Sequence, residues 1–131
     1  TQLEPLAASR AARVATEWQR EQLRAGMQAV ESFDTHAASV VETLRLDARV
    51  HRGIYAAAAN PHLEDVLIRY DNLATRIWCM VLDRLPDLSR HVHEHLDLLG
   101  AVIDGDEARA GDLARSHVSG FEDAVRKALF T

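Results

Sequence analysis

The chain has 131 residues, enough for one domain with a core of its own, and 47% hydrophobic with 27% charged content marks it as globular rather than disordered. No eighteen-residue stretch is free of charged side chains, which excludes a transmembrane helix, and the region holding Glu4, Arg10 and Arg13 lacks the apolar core of a secretory signal. A net charge of −5 argues against nucleic-acid binding by bulk electrostatics, and the lone Cys79 excludes a disulfide framework and fits a reducing cytoplasmic setting.

The chain opens at Thr1 without an initiator Met and enters a helical pattern at once, which reads as a fragment of a longer protein. Hydrophobic spacing is helical throughout, and no window alternates as a strand does. The first helix is predicted from about Leu3 to Ser32, with Leu6, Val14, Trp18 and Met27 inward and Gly26 as its weak point. The second starts near Asp34 or Thr35 as its cap, carries Val40, Val41, Leu44, Ile54 and Tyr55, and ends at Asn60. Asn60-Pro61 stops that helix and starts the third, because Pro suits a first helical turn and disfavours helix in the residue before it. Leu63, Val66, Leu67, Tyr70, Leu73, Ile77 and Val81 form its stripe, and it stops near Leu85. Pro86-Asp87 opens the fourth, with Leu88, Val92, Leu96, Leu99 and Val102 inward; after Asp104-Gly105-Asp106, a fifth helix capped by Asp106 runs to about Leu129. The expected fold is all-α: one antiparallel helical bundle with short connections, spanning residues 1–131.

Inward stripes should be apolar, so the polar residues falling on them are informative. Asp47 lies three residues after Leu44 and seven before Ile54, and His51 follows it by one turn on the same face. A buried carboxylate is costly unless it is paired or binds a metal. The pair therefore reads either as a hydrogen bond sealing the core or as half of a metal site. In the fourth helix His95 continues the stripe between Val92 and Leu99, while His93 shares a solvent face with Asp97 and Gly100. His91, at the stripe's edge and four residues before His95, is not dismissed by spacing. In the fifth, His117 extends the series Ala110, Leu113, Phe121 and Ala124. One inward histidine is an ordinary core residue; three with a carboxylate, on three helices, read either as a hydrogen-bonded core cluster or as a coordination set for zinc, nickel or iron. Arg10 falls between Leu6 and Val14, and Arg76 between Leu73 and Met80. Each either snorkels to solvent or forks an anion held on the metal. Glu17, Arg20, Glu21 and Arg24 read as a solvated face.

Three segments in register resemble the FCD domain, the C-terminal effector-binding domain of FadR-branch GntR-type transcription regulators. Asp47-Ala-Arg-Val-His51 with Ala-Ala-Ala-Asn60 is similar to the family's Asp-x-x-Phe-His…Ala-x-x-Asn segment, with Val50 in place of the usual Phe. Glu94-His95, then Ala101 and Gly105-Asp106, is similar to its Glu-His…Ala-Ile…Gly-Asp stretch, and the step from Asp106 through Ala110 to His117 matches its last histidine. Leu3-Glu4 and Ala7-Ala8 resemble the start of the domain. The likeness covers essentially the whole chain. It selects His95 over His91, and it implies that Asp47, His51, His95 and His117 hold one divalent transition metal. Zinc is the first expectation, with nickel, iron or manganese as alternatives. The metal would floor a cavity for a small organic acid, with Asn60 in the same pocket; stripe position alone, since the family pattern fixes neither, puts Arg76, then Arg10, at the free carboxylate oxygen. Arg10 stands where the family usually has an apolar residue.

The leading expectation is a metal-dependent organic-acid sensing domain of a bacterial GntR-type regulator, not an enzyme. It is expected to be cytoplasmic and homodimeric, to contact no membrane, and to meet DNA only through a winged-helix domain missing from this sequence. The rival is a metal-dependent hydrolase or oxygenase, since an open metal position activates water. Against the rival, the stripes show no second inward carboxylate near the site to serve as general base.

Overall fold

The stretch expected to be one helix is two, α1 (Leu3–Val14) and α2 (Glu17–Glu31). The break follows from Thr16. Its hydroxyl accepts from the Gln19 N–H while the Gln19 side chain accepts from the Thr16 N–H, and this capping box starts a new helix after an extended Ala15. Gly26, the expected weak point, lies inside α2. Helix α3 (Val40–Ala57) begins later than expected, because Ser39 caps it by accepting from the Glu42 N–H. Asp34 instead ties the preceding turn, accepting from the N–H groups of His36 and Ala37. Helix α4 (Pro61–Val81) starts where Asn60-Pro61 predicts, with Asn60 Oδ1 accepting from the N–H groups of His62 and Leu63. Helices α5 (Leu88–Ile103) and α6 (Glu107–Phe130) follow; Gly105 turns the chain with φ 75°, and Asp106 accepts from the Arg109 N–H.

This computed structural model describes residues 2–81, 84 and 88–130. The expected helix stop at Leu85, the Pro86-Asp87 start and the inward side chain of Leu88 lie outside the described residues. Among the described residues there is no strand, so the all-α bundle stands, and no helix is long and apolar enough to cross a membrane.

Helix α1 packs on α6 and α3, and α2 packs on α5 and α3. The buried face of α1 is Ala7, Ala8, Ala11 and Ala12, whereas Leu6 (53% exposed) and Trp18 (70%) face outward and Val14 and Met27 are half-buried. Small side chains explain this reversal, since they let α1 approach α6 closely: a Cβ on Gly111 would meet Ser9 Oγ at 2.7 Å. Val40 and Val41 on α3, and Val66, Tyr70 and Leu73 on α4, are likewise exposed, so their stripes are narrower than periodicity predicts. The main core gathers Val50, Ile54 and Tyr55 of α3, Leu67 of α4, and Val92, Leu99 and Val102 of α5. Arg20 is not a solvated residue. It donates to the carbonyls of Ala12 (3.0 Å), Val102 (2.8 Å) and Ile103 (2.7 Å), closing the C-terminal ends of α1 and α5.

Candidate metal centre

Helix α3 supplies Asp47 and His51 one turn apart, α5 supplies His95 and α6 supplies His117, and all four are buried. One donor atom from each lies within 4.8 Å of the others. Asp47 Oδ1 is 3.4 Å from His51 Nε2 and 3.3 Å from His95 Nε2, and those two nitrogens are 3.2 Å apart. Donors bonded to one ion at about 2.0–2.1 Å must be separated by about 2.9–3.4 Å along the edges of an octahedron or tetrahedron. The observed edges fall in that range, and three imidazoles with one carboxylate suit a divalent transition metal. The residues fit the ion.

Glu94 adds a support. Its Oε2 lies 2.9 Å from His117 Nδ1, which fixes the ring and leaves Nε2 as the free donor. His91 is half-buried, with Nε2 3.3 Å from Asp47 Oδ1 and its ring stacked on His117 at 4.5 Å. It falls in a second group with Glu94 and His117, the last shared with the central four. His93 is exposed, as expected, with Nδ1 2.7 Å from the Ser89 carbonyl oxygen.

The electrostatics divide the histidines. Burial works against ionising Asp47, but the charge of His51 and hydrogen bonds from His51, His91 and His95 hold the carboxyl well below its usual range. Burial also opposes a charged His51, yet Asp47, with Glu4 and Asp71 behind it, pushes that imidazole up to about 9. His117 is driven down to about 2 by burial and then by the neighbouring imidazoles, and His95 is lowered chiefly by burial. Without an ion, one imidazolium therefore neutralises one carboxylate while the other two rings stay neutral and ready to ligate.

A cavity of about 340 Å³ opens over Asp47, His51 and His117, between α4 and α6. The three expected effector contacts are not in its wall. Arg10 donates through Nε to the Ala58 carbonyl (2.5 Å) and through Nη2 to that of Ala59 (3.5 Å), closing the end of α3 where Ala59 has φ 55°. Asn60 is occupied in capping α4, and Arg76 is exposed. The arginine that lines the cavity is Arg126, which sequence reasoning missed; its signal was its place beside Val125 of α6, one turn beyond Phe121. The expected lack of a second carboxylate is also corrected. Glu4 Oε2 lies 4.0 Å from His51 Nδ1 while its Oε1 accepts from the Tyr55 hydroxyl, and both Glu4 and Asp71 line the cavity.

In comparison with known proteins, the sequence pattern of the FCD domain matches residues 1–120. No curated protein matches the chain.

Proposed function

The chain belongs to the FCD domain family, the ligand-binding regulatory domains of GntR-type regulators, and from that premise we propose that it senses a small organic acid through a bound divalent metal. The observation that carries this reading is the four-donor group, of which Asp47, His51 and His117 floor an open cavity. Asp47, His51, His95 and His117 would hold the ion, zinc or another divalent transition metal. When bound, the ion supplies a Lewis-acidic anchor for a carboxylate. Arg126, in place of Arg76, Arg10 or Asn60, is assigned to the acid's outer oxygen, because it is the arginine of the described residues that lines the cavity. The acid would act by favouring one arrangement of α4 and α6, which face each other across it.

The rest of the reading concerns the whole regulator. Residues 1–131 form its effector-binding and dimerisation domain, in the cytoplasm, with DNA met through a separate winged-helix domain. A second copy of the chain is supported by α4, where Val66, Tyr70, Leu73 and Met80 are exposed at spacings that make one apolar seam. Light scattering of the purified chain tests the dimer.

Native mass spectrometry and calorimetry test the sensor. About one metal per chain is expected, with sharp loss in Asp47→Ala, His51→Ala, His95→Ala or His117→Ala and none in His93→Ala. Stripping the metal should abolish most acid binding. Equal acid affinity in metal-free protein would overturn the reading. One observation favours a metal-dependent enzyme instead: Glu4 and Asp71 in the cavity wall offer carboxylates that could act as a base. Turnover of a bound acid would establish that alternative; on the sensor reading the acid is recovered unchanged.

A further inference from the structure

The chemical class of the effector is written in the cavity wall. Beyond the donors, α4 contributes Tyr70, Ile77 and Trp78, and α6 contributes Phe121, Val125 and Leu129, so the passage from the metal floor outward is mainly apolar. Its volume of about 340 Å³ exceeds what a two- to four-carbon acid fills and lies at the lower end of the range for drug-sized ligands, about 300–1,000 Å³. A compact hydroxy acid would leave most of that wall against water.

Charge narrows the class further. The described wall carries Glu4, Asp47, Asp71 and Glu122 against one arginine of its own, Arg126, with Arg52 behind it 3.9 Å from Asp71. A divalent ion offsets Asp47 and one incoming carboxylate. Each further carboxylate on the ligand would face Glu4 and Asp71 with no cation assigned to it, at a cost that rises as water is excluded. Trp78 adds aromatic surface to this wall, its ring edge-on to Phe121 at 5.5 Å.

We infer that the effector is a monocarboxylate with an apolar body, its carboxylate on the metal floor and its body between α4 and α6. The inference rests on the acid-sensing reading. Burying one methylene contributes enough to raise affinity about three- to fourfold. Titrating acetate, butyrate and octanoate into the zinc-loaded chain should therefore give affinities climbing by about that factor per carbon, with octanoate above both malate and citrate. Removing the zinc should erase most of octanoate binding, and 1-octanol should bind more weakly than octanoate. Ile77→Ser should lower octanoate affinity about tenfold, leaving acetate affinity and zinc stoichiometry unchanged. Malate or citrate binding more tightly than octanoate would overturn the inference and leave acid sensing intact. Octanoate binding equally well without zinc would also overturn it. No binding by any acid to the zinc-loaded chain would remove the sensing reading and the inference with it.

Discussion

At the residue scale the centre is defined by how four side chains share protons. His51 is held near 9, above its unfolded value of about 6.5, because Asp47, Glu4 and Asp71 surround it. Its contribution to the metal-free fold is therefore complete below about 6.5 and is lost as pH rises through about 9. His117, lowered to about 2, has the opposite sign: it stabilises the fold above about 6.5, and that contribution is lost as pH falls below it. A metal must displace the proton on His51, since imidazole ligates in its neutral form. Zinc binding at pH 7 should release about one proton per ion, and the release should vanish above about pH 9; calorimetry in buffers of different ionisation enthalpy reads this directly. Proton release near zero at pH 7 would mean that His51 is already neutral. Asp47, His51 and His117 were legible because helical spacing and apolar neighbours fix which way each points, whereas spacing left His91 beside His95 and only the family resemblance chose between them. Glu4, Asp71 and Arg126 were not legible, because they reach the site only through the packing of α1, α4 and α6 around it.

At the element scale, what decides each helix is its ends. Thr16-x-x-Gln19 was a readable capping box inside a stretch whose periodicity alone looked continuous, and Ser39 outcompeted Asp34 because Asp34 closes a turn of its own. Arg10 shows the converse error. Its position on the α1 stripe is real, but the group it meets is the C-terminal end of α3, where the carbonyls of Ala58 and Ala59 lack helical donors. Arg10→Leu should then lower stability by about 1.5–3 kcal/mol, the scale of a hydrogen bond involving a charged group, without changing zinc content or acid affinity. Chemical denaturation beside an acid titration checks both halves. A variant of normal stability that no longer bound acid would return Arg10 to the effector site.

Across the whole molecule, the centre ties α3, α5 and α6 together, and α1 joins through Glu4, which meets both Tyr55 and His51. An ion that binds this arrangement and not the unfolded chain stabilises it by mass action, about 4 kcal/mol when free zinc is a thousandfold above its Kd. For a chain of this size that corresponds to a melting point about 10–20 °C higher with zinc than with chelator. The chelated protein should still unfold in one cooperative step, because the His51 imidazolium then stands against Asp47 in place of the ion. Acid should shrink the difference: below about pH 9 the ion must displace the proton on His51, so its affinity falls as pH drops and the zinc-loaded curve moves toward the chelated one. Thermal denaturation at pH 5, 6, 7 and 8, with zinc and with chelator, measures the pair of curves. A melting point indifferent to chelator at pH 7 would show that the four donors meet without an ion, the three helices being held by their apolar contacts and the His51–Asp47 pair.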